Sequence, residues 1–192
     1  LFADHRFHFA IEPPEIIAPR IGMNKDELAD KLYALSKKGG IYRRRRGDSL
    51  AYGILPYAPG IYEFQVRNLD REFAEMQEEY SRQGFSKEMF GSKTPYFKVV
   101  PAEREIPLQL EVFPYERVSN IIERATRLAV ADCICRIEKK LLGEGCEKPV
   151  NACMMFSEIA DFYIENGLAR EVSREEAKKI LAPSLIAYYE GF

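Results

Sequence analysis

What the chain lacks narrows what it can do. There is no run of about 18 apolar residues, so no stretch reads as a membrane-spanning helix. Positive charge is not in excess: 28 Lys and Arg face 30 Asp and Glu, for a net charge of −2, and no broadly basic composition advertises a nucleic-acid partner. G-x-S-x-G, a phosphate-cradling glycine loop and H-E-x-x-H are all missing, so no hydrolytic or group-transfer centre is expected and no catalytic residue is assigned. The acidic pairs Asp26/Glu27 and Glu175/Glu176 sit where first helical turns are expected, and there they complement the helix dipole. Histidine is scarce. His5 and His8 share a helix face, but no third ligand lies nearby, and an amphipathic terminal segment carrying Phe2, Phe7 and Phe9 is the stronger reading. There is no low-complexity tract, no clear repeat and no visible signal-like segment, and four clustered cysteines without other disulfide signs suit a cytoplasmic location.

What is there is concentrated. All four cysteines, Cys133, Cys135, Cys146 and Cys153, fall within 21 residues as C-x-C-x10-C-x6-C. Soft thiolates suit zinc or an iron–sulfur cluster. On extended backbone Cys133 and Cys135 would leave the same face. A helix from Arg136 to Leu142, with Gly143 and Gly145 to turn the chain and Pro149 to stiffen the return, would bring Cys146 and Cys153 to the other side. Met154, Met155 and Phe156 would then wall off water. Disulfides and plain buried thiols are the alternatives, though the clustering suits a reducing compartment. The spacing matches neither paired C-x2-C zinc sites nor the bacterial ferredoxin run, so cysteine spacing alone leaves zinc and iron–sulfur both open. Arg136, Lys139, Lys140 and Lys148 lie within the motif. They would either raise the potential of an anionic cluster or be simply solvated.

The segments AVADCICR (129–136), GEGCEKPVNACMMF (143–156), ADFYIENGLAR (160–170) and SREEAKKIL (173–181) resemble a family of 4Fe–4S ferredoxin-type binding proteins from anaerobic microbes. Upstream, IYRRRRGD (41–48), GIYEFQV (60–66) and IPLQLEVFPYE (106–116) are also similar, so the resemblance covers most of the chain. It implies a winged-helix-like module followed by one [4Fe–4S] cluster held by Cys133, Cys135, Cys146 and Cys153. It also implies electron transfer with a redox protein partner in anaerobic metabolism. The family's further cysteine-rich motifs have no counterpart in these 192 residues. With four thiolates the cluster would be closed, which points to electron transfer, sensing or structure rather than to a stand-alone enzyme.

The expected fold class is α+β. Residues 1–66 form the winged-helix-like module, 67–105 a connecting helix and strand, and 106–192 the cysteine-motif domain. In the first part, a short helix from Pro14 to Arg20 ends at Gly22. Asn24 and Glu27 then open a second helix with Leu28, Leu32 and Leu35 inward. Gly39 and Gly40 stop it, and strands Ile41–Arg46 and Leu50–Ile54 flank a turn. Arg43 to Arg46 could meet phosphate, making an iron–sulfur-sensing DNA regulator the main alternative. Asp26, Glu27 and Asp30 on the would-be recognition helix oppose it, and arginines paired with acidic residues in a docking or scaffold module read better. A structural zinc-binding interaction protein is the third option.

Further along, Ile61–Val66 reads as a strand, Asp70–Gln83 as a helix with Phe73, Met76 and Tyr80 inward, Phe85–Pro95 as a loop and Tyr96–Val100 as a strand. Then come a strand Ile106–Phe113, a helix Glu116–Arg127, an apolar run Leu128–Ile134 and a helix Ser157–Glu165. Ser173 and Glu176 make a second capping box, opening a helix that Pro183 ends.

Overall fold

The computed structural model describes residues 10–91 and 118–189. The expected strands at 96–100 and 106–113, and the histidines His5 and His8, lie outside them. The class is α+β.

The first part is two helices and a hairpin. Helix α1 (Pro14–Ile21) has proline at its first position, where the missing N–H costs nothing, and Gly22 at φ 65° closes it. Helix α2 (Lys25–Lys37) starts at Asn24, whose Oδ1 accepts from the Asp26 and Glu27 N–H groups at 2.9 and 3.2 Å. Strands β1 (Tyr42–Arg46) and β2 (Ser49–Gly53) pair antiparallel, with Arg46 opposite Ser49. The inward face of α2 is not the leucine stripe. Leu28 is buried, but Leu35 is 46% exposed, while Ser36 is fully buried because the Arg43 guanidinium reaches its Oγ at 2.7 Å.

Residues 61–66 are not a strand. Glu63–Gln65 is a single 3-10 turn, and the alternation that suggests a strand comes from two aromatic anchors with different targets. The Tyr62 hydroxyl donates to Glu138, and the Phe64 ring lies 4.7 Å from that of Phe162. Helix α3 (Arg71–Tyr80) is capped by Asp70, whose Oδ1 accepts from Phe73 N–H at 2.8 Å. It buries Ala74 and Gln77 and leaves Met76 and Tyr80 exposed, because Gln77 is drawn in by the Tyr57 hydroxyl. A turn over Ser81–Phe85 leads into α4 (Ser86–Gly91), where a loop was expected; Gly84, at φ 145°, lets the chain change direction and begin helix again.

The second part is built on a three-stranded antiparallel sheet. Helix α5 (Val118–Arg124) leads to β3 (Leu128–Asp132), the central strand, with β4 (Asn151–Phe156) on one side and β5 (Ala169–Glu171) on the other. A strand buried on both faces should be a short apolar run, and LAVAD is one. Leu128 and Val130 face a core with Ile122 and Ala125 from the α5 side, and with Val172 and Ala177. Ala131 joins a second core with Tyr42, Phe64, Phe162 and Tyr163. Phe162 and Tyr163 belong to α7 (Glu158–Glu165), and Ala177 to α8 (Arg174–Tyr189). The Ser173 Oγ accepts from Glu176 N–H at 3.1 Å, and α8 runs on through Pro183. A proline removes one helical hydrogen bond and need not end a helix already propagating.

The four-arginine run binds the two parts together. Tyr42 and Arg44 share one face of β1, and Arg43 and Arg45 the other. The two faces reach opposite ends of α7: Arg44 pairs with Glu158, while Arg43 and Arg45 pair with Glu165 at 2.9 and 3.1 Å. Arg43 is buried, with its guanidinium 4.8 Å from the Tyr33 ring centre and 5.8 Å from that of Phe162. Three of the four arginines are therefore engaged by carboxylates within the fold.

Candidate metal centre

The end of β3 and the start of helix α6 (Ile134–Leu141) organise the cysteines. Cys133 is the N-cap residue with extended backbone, and Cys135 lies in the first helical turn. The C-x-C step is thus half extended and half helical, because the helix begins two residues before the expected Arg136. Cys153 sits on β4 opposite Ala131, just where the β3–β4 register slips between Ala131 and Asp132. That slip lets β3 turn into α6 beside Cys153. The Cys133 N–H donates to Val150 O at 2.8 Å, and the Arg136 guanidinium donates to Pro149 O. These two bonds hold the returning chain against the helix start.

Three thiols converge. The Cys135 and Cys153 thiols, Cys135 first, pull Cys133 below the ordinary thiol range, opposed by burial and helped by Arg136. The neighbouring Cys133 drives Cys135 and Cys153 upward, and burial adds to this at Cys153. Cys133 and Cys153 are half-buried, Cys135 is exposed at the mouth, and no disulfide links any of the four cysteines. Cys146 is exposed on the loop between α6 and β4 and is not among the groups acting on the other three.

The floor of this site was not legible as a motif. Glu138 is only 7% exposed, on the same helix face as Ile134 and Cys135, and accepts from the Tyr62 hydroxyl. Burial first, and the bond to Glu138 next, push the Tyr62 phenol up. Burial likewise raises Glu138 and Glu63, and Glu63 also faces the charge of Cys133. The helical phase, three residues on from Cys135, was the signal that could have found Glu138.

Other expected members are placed differently. Along β4 the side chains alternate, so Met155 shares the Cys153 side, whereas Met154 and Phe156 pack into the opposite core. They do not form one wall beside the thiols. Lys139 bonds Glu78 at 2.8 Å and Glu144 at 3.0 Å, which draws it away from the sulfurs. Arg136 is the cation that acts on Cys133 and Cys153.

Among the described residues no group of three or more His, Cys, Asp or Glu has the arrangement of a formed metal site. The donor chemistry nevertheless suits a soft metal centre. Binding a metal there would require the thiols to give up their protons. Among the described residues no helix is long and apolar enough to cross a membrane. Comparison with family models, with curated proteins and with solved structures found no match to this chain.

Proposed function

We propose that this chain is an iron–sulfur protein of the 4Fe–4S ferredoxin type, holding one [4Fe–4S] cluster and exchanging electrons with a redox protein partner in the cytoplasm of an anaerobe. The observation that carries this reading is the placing of Cys133 and Cys135 at the start of α6 beside Cys153, which pairs with Ala131 at the end of β3. Cys146 would be the fourth ligand. Bound there, the cluster supplies a one-electron couple.

The chain's own residues have distinct tasks. Cys133 anchors the site through its backbone bond to Val150, and Arg136 places positive charge beside Cys133 and Cys153. Positive charge near sulfur favours the more reduced, more negative state and raises the potential. Tyr62 and Glu138 close the inner side with a hydrogen-bonded pair, so polar groups there are satisfied without water. The exposed Cys135 side would be one route for an electron to a docked partner.

Thiols gathered at the start of α6 also suit a single ion, so structural zinc in an interaction protein is the second reading. The wing as a DNA-reading element gains nothing here, because Arg43, Arg44 and Arg45 are occupied by Glu158 and Glu165.

Metal and acid-labile sulfide analysis with a visible spectrum, on protein purified without oxygen, separates these readings. About four iron and four sulfide per chain, lost in Cys135→Ser, is the expected result. One zinc and no visible colour would replace electron transfer with a structural role. Neither metal would remove the proposal's basis.

A further inference from the structure

We infer that the cavity between the end of α2, the 3-10 turn and the end of α7 is a binding site for a small organic phosphate, with Lys37, Lys38 and Arg67 on the phosphate group and Phe64 and Leu168 against the apolar part. This goes beyond the iron–sulfur reading and does not depend on it.

The cavity lies where the two parts of the chain meet. Lys37 and Lys38 come from the end of α2, Arg67 and Asn68 follow the 3-10 turn, and Asn166 and Leu168 follow α7. Its volume is about 320 Å³, at the small end of the range of about 300–1,000 Å³ that ligand pockets occupy.

Charge sets the class of ligand. Three cations line the cavity and no Asp or Glu does. Elsewhere the fold pairs its cations with carboxylates: Glu165 takes Arg43 and Arg45, Glu158 takes Arg44, and Asp161 and Glu171 take Arg127. Lys37 instead donates to a neutral carbonyl, Glu165 O, at 2.9 Å, so its charge is not cancelled. Among the described residues neither the Lys38 ammonium nor the Arg67 guanidinium has a hydrogen-bond or carboxylate partner. Helix capping does not account for them. In α2 the carbonyls of Ala34, Leu35 and Ser36 already accept from backbone N–H groups, and Gln65 Nε2 donates to Gly39 O at 3.0 Å. In α7 the carbonyls of Phe162, Tyr163 and Ile164 are met in the same way. Helix ends satisfied like this present little free negative charge for a cation to answer.

Arg67 is placed by shape rather than by a counter-charge. Its guanidinium lies over Gly167, where a Cβ would stand 3.1 Å from Nη1. Asn166 Nδ2 is tied to Phe162 O at 2.8 Å, while its Oδ1 is buried with no partner, an acceptor that a ligand hydroxyl or N–H can meet. A phosphate monoester carries roughly two negative charges and three acceptor oxygens at neutral pH, which suits two ammonium groups and one planar guanidinium better than a single carboxylate does. Phe64 and Leu168 add apolar lining, so an organic ester fits the cavity better than the bare ion.

The test titrates the full chain by calorimetry with phenyl phosphate, inorganic phosphate and phenol at one ionic strength. Phenyl phosphate should bind one to one and more tightly than either of the others. In the double variant Lys38→Gln, Arg67→Gln its affinity should fall about tenfold or more, with the far-ultraviolet spectrum unchanged. Arg46→Gln with Lys87→Gln removes the same charge from exposed positions outside the cavity and should leave the affinity as it was. Absence of saturable binding to the unaltered chain would overturn the inference. So would equal weakening in the two double variants, which would mean diffuse attraction to the surface. Inorganic phosphate or phenol binding as tightly as the ester would overturn it as well, since one half of the cavity would then be idle.

Discussion

Arg43 carries an unusual share of this fold for one charged residue. Its side chain is 2% exposed, it bonds Ser36 at 2.7 Å and Glu165 at 2.9 Å, and two aromatic rings lie beside it. Replacing it with alanine removes the donor to Ser36, whose hydroxyl keeps its bond to Tyr33 O, and opens a void, while Glu165 keeps Arg45. We expect Arg43→Ala to lose about 2–3 kcal/mol in urea unfolding, somewhat less than for a pair buried on both sides. The pH dependence has a definite sign. Burial alone would raise Glu165, but the bonds from Arg43 and Arg45 win and lower it from the ordinary 4.5. A carboxylate lowered in the folded state adds stability above its unfolded pKa and loses it as pH falls through the folded one. Unfolding followed from pH 7 down past about 4.5 should therefore show a loss that Glu165→Gln flattens. An unchanged slope in that variant would remove Glu165 from the account. Tyr62→Phe asks a similar question beside the thiols. It leaves the buried Glu138 carboxyl without the phenol's hydrogen bond, and a loss of about 1–3 kcal/mol is expected.

At the scale of elements, the caps and turns were legible in the sequence and the helix faces less so. Asn24 with Glu27 and Ser173 with Glu176 open helices because side-chain oxygens at those positions meet free N–H groups, a local rule that needs no tertiary knowledge. The inward faces of α2 and α3 instead follow distant partners. Ser36 turns inward to meet Arg43, and Gln77 to meet Tyr57, so Leu35, Met76 and Tyr80 remain outside. The six residues Ile61–Val66 were too short for alternation to tell a strand from a turn anchored by two aromatics. The cysteine cluster was legible as a set, but the placing of Cys135 on a helix was not, since only the slip at Ala131/Asp132 starts α6 so early. The loop after α6 gives an element-scale prediction. In Gly145→Ala the new Cβ would meet backbone at Lys140, and Gly143 next to this turn already needs φ 81°. The turn must shift, at a cost of about 1–3 kcal/mol in thermal or urea unfolding. A neutral result would mean that the loop is not seated on α6.

On the scale of the whole molecule, the two sheets are coupled through one shared cluster of aromatic rings. Phe162 on α7 is 2% exposed, with its ring 5.2 Å from Tyr42 of the hairpin, 4.7 Å from Phe64 of the 3-10 turn and 6.1 Å from Tyr163. Ala131, from the strand that leads into Cys133, closes the same cluster. The arginine pairs from β1 to the two ends of α7 lie along this junction but are largely exposed and screened, with Arg43 the exception, so apolar packing has to supply most of the coupling. Removing the Phe162 ring should cost about 3–5 kcal/mol, because neighbours held by both sheets cannot collapse into the space. It should also change the form of unfolding. The unaltered chain is expected to lose the near-ultraviolet signal of its tyrosines and its far-ultraviolet helix signal in one urea transition. In Phe162→Ala the hairpin part and the cysteine part lose their common core, and the two signals should separate. Coincident transitions in that variant would mean that the ion pairs and the Tyr62–Glu138 contact couple the parts without the ring. Separate transitions in the unaltered chain would mean that the shared cluster does not couple them at all.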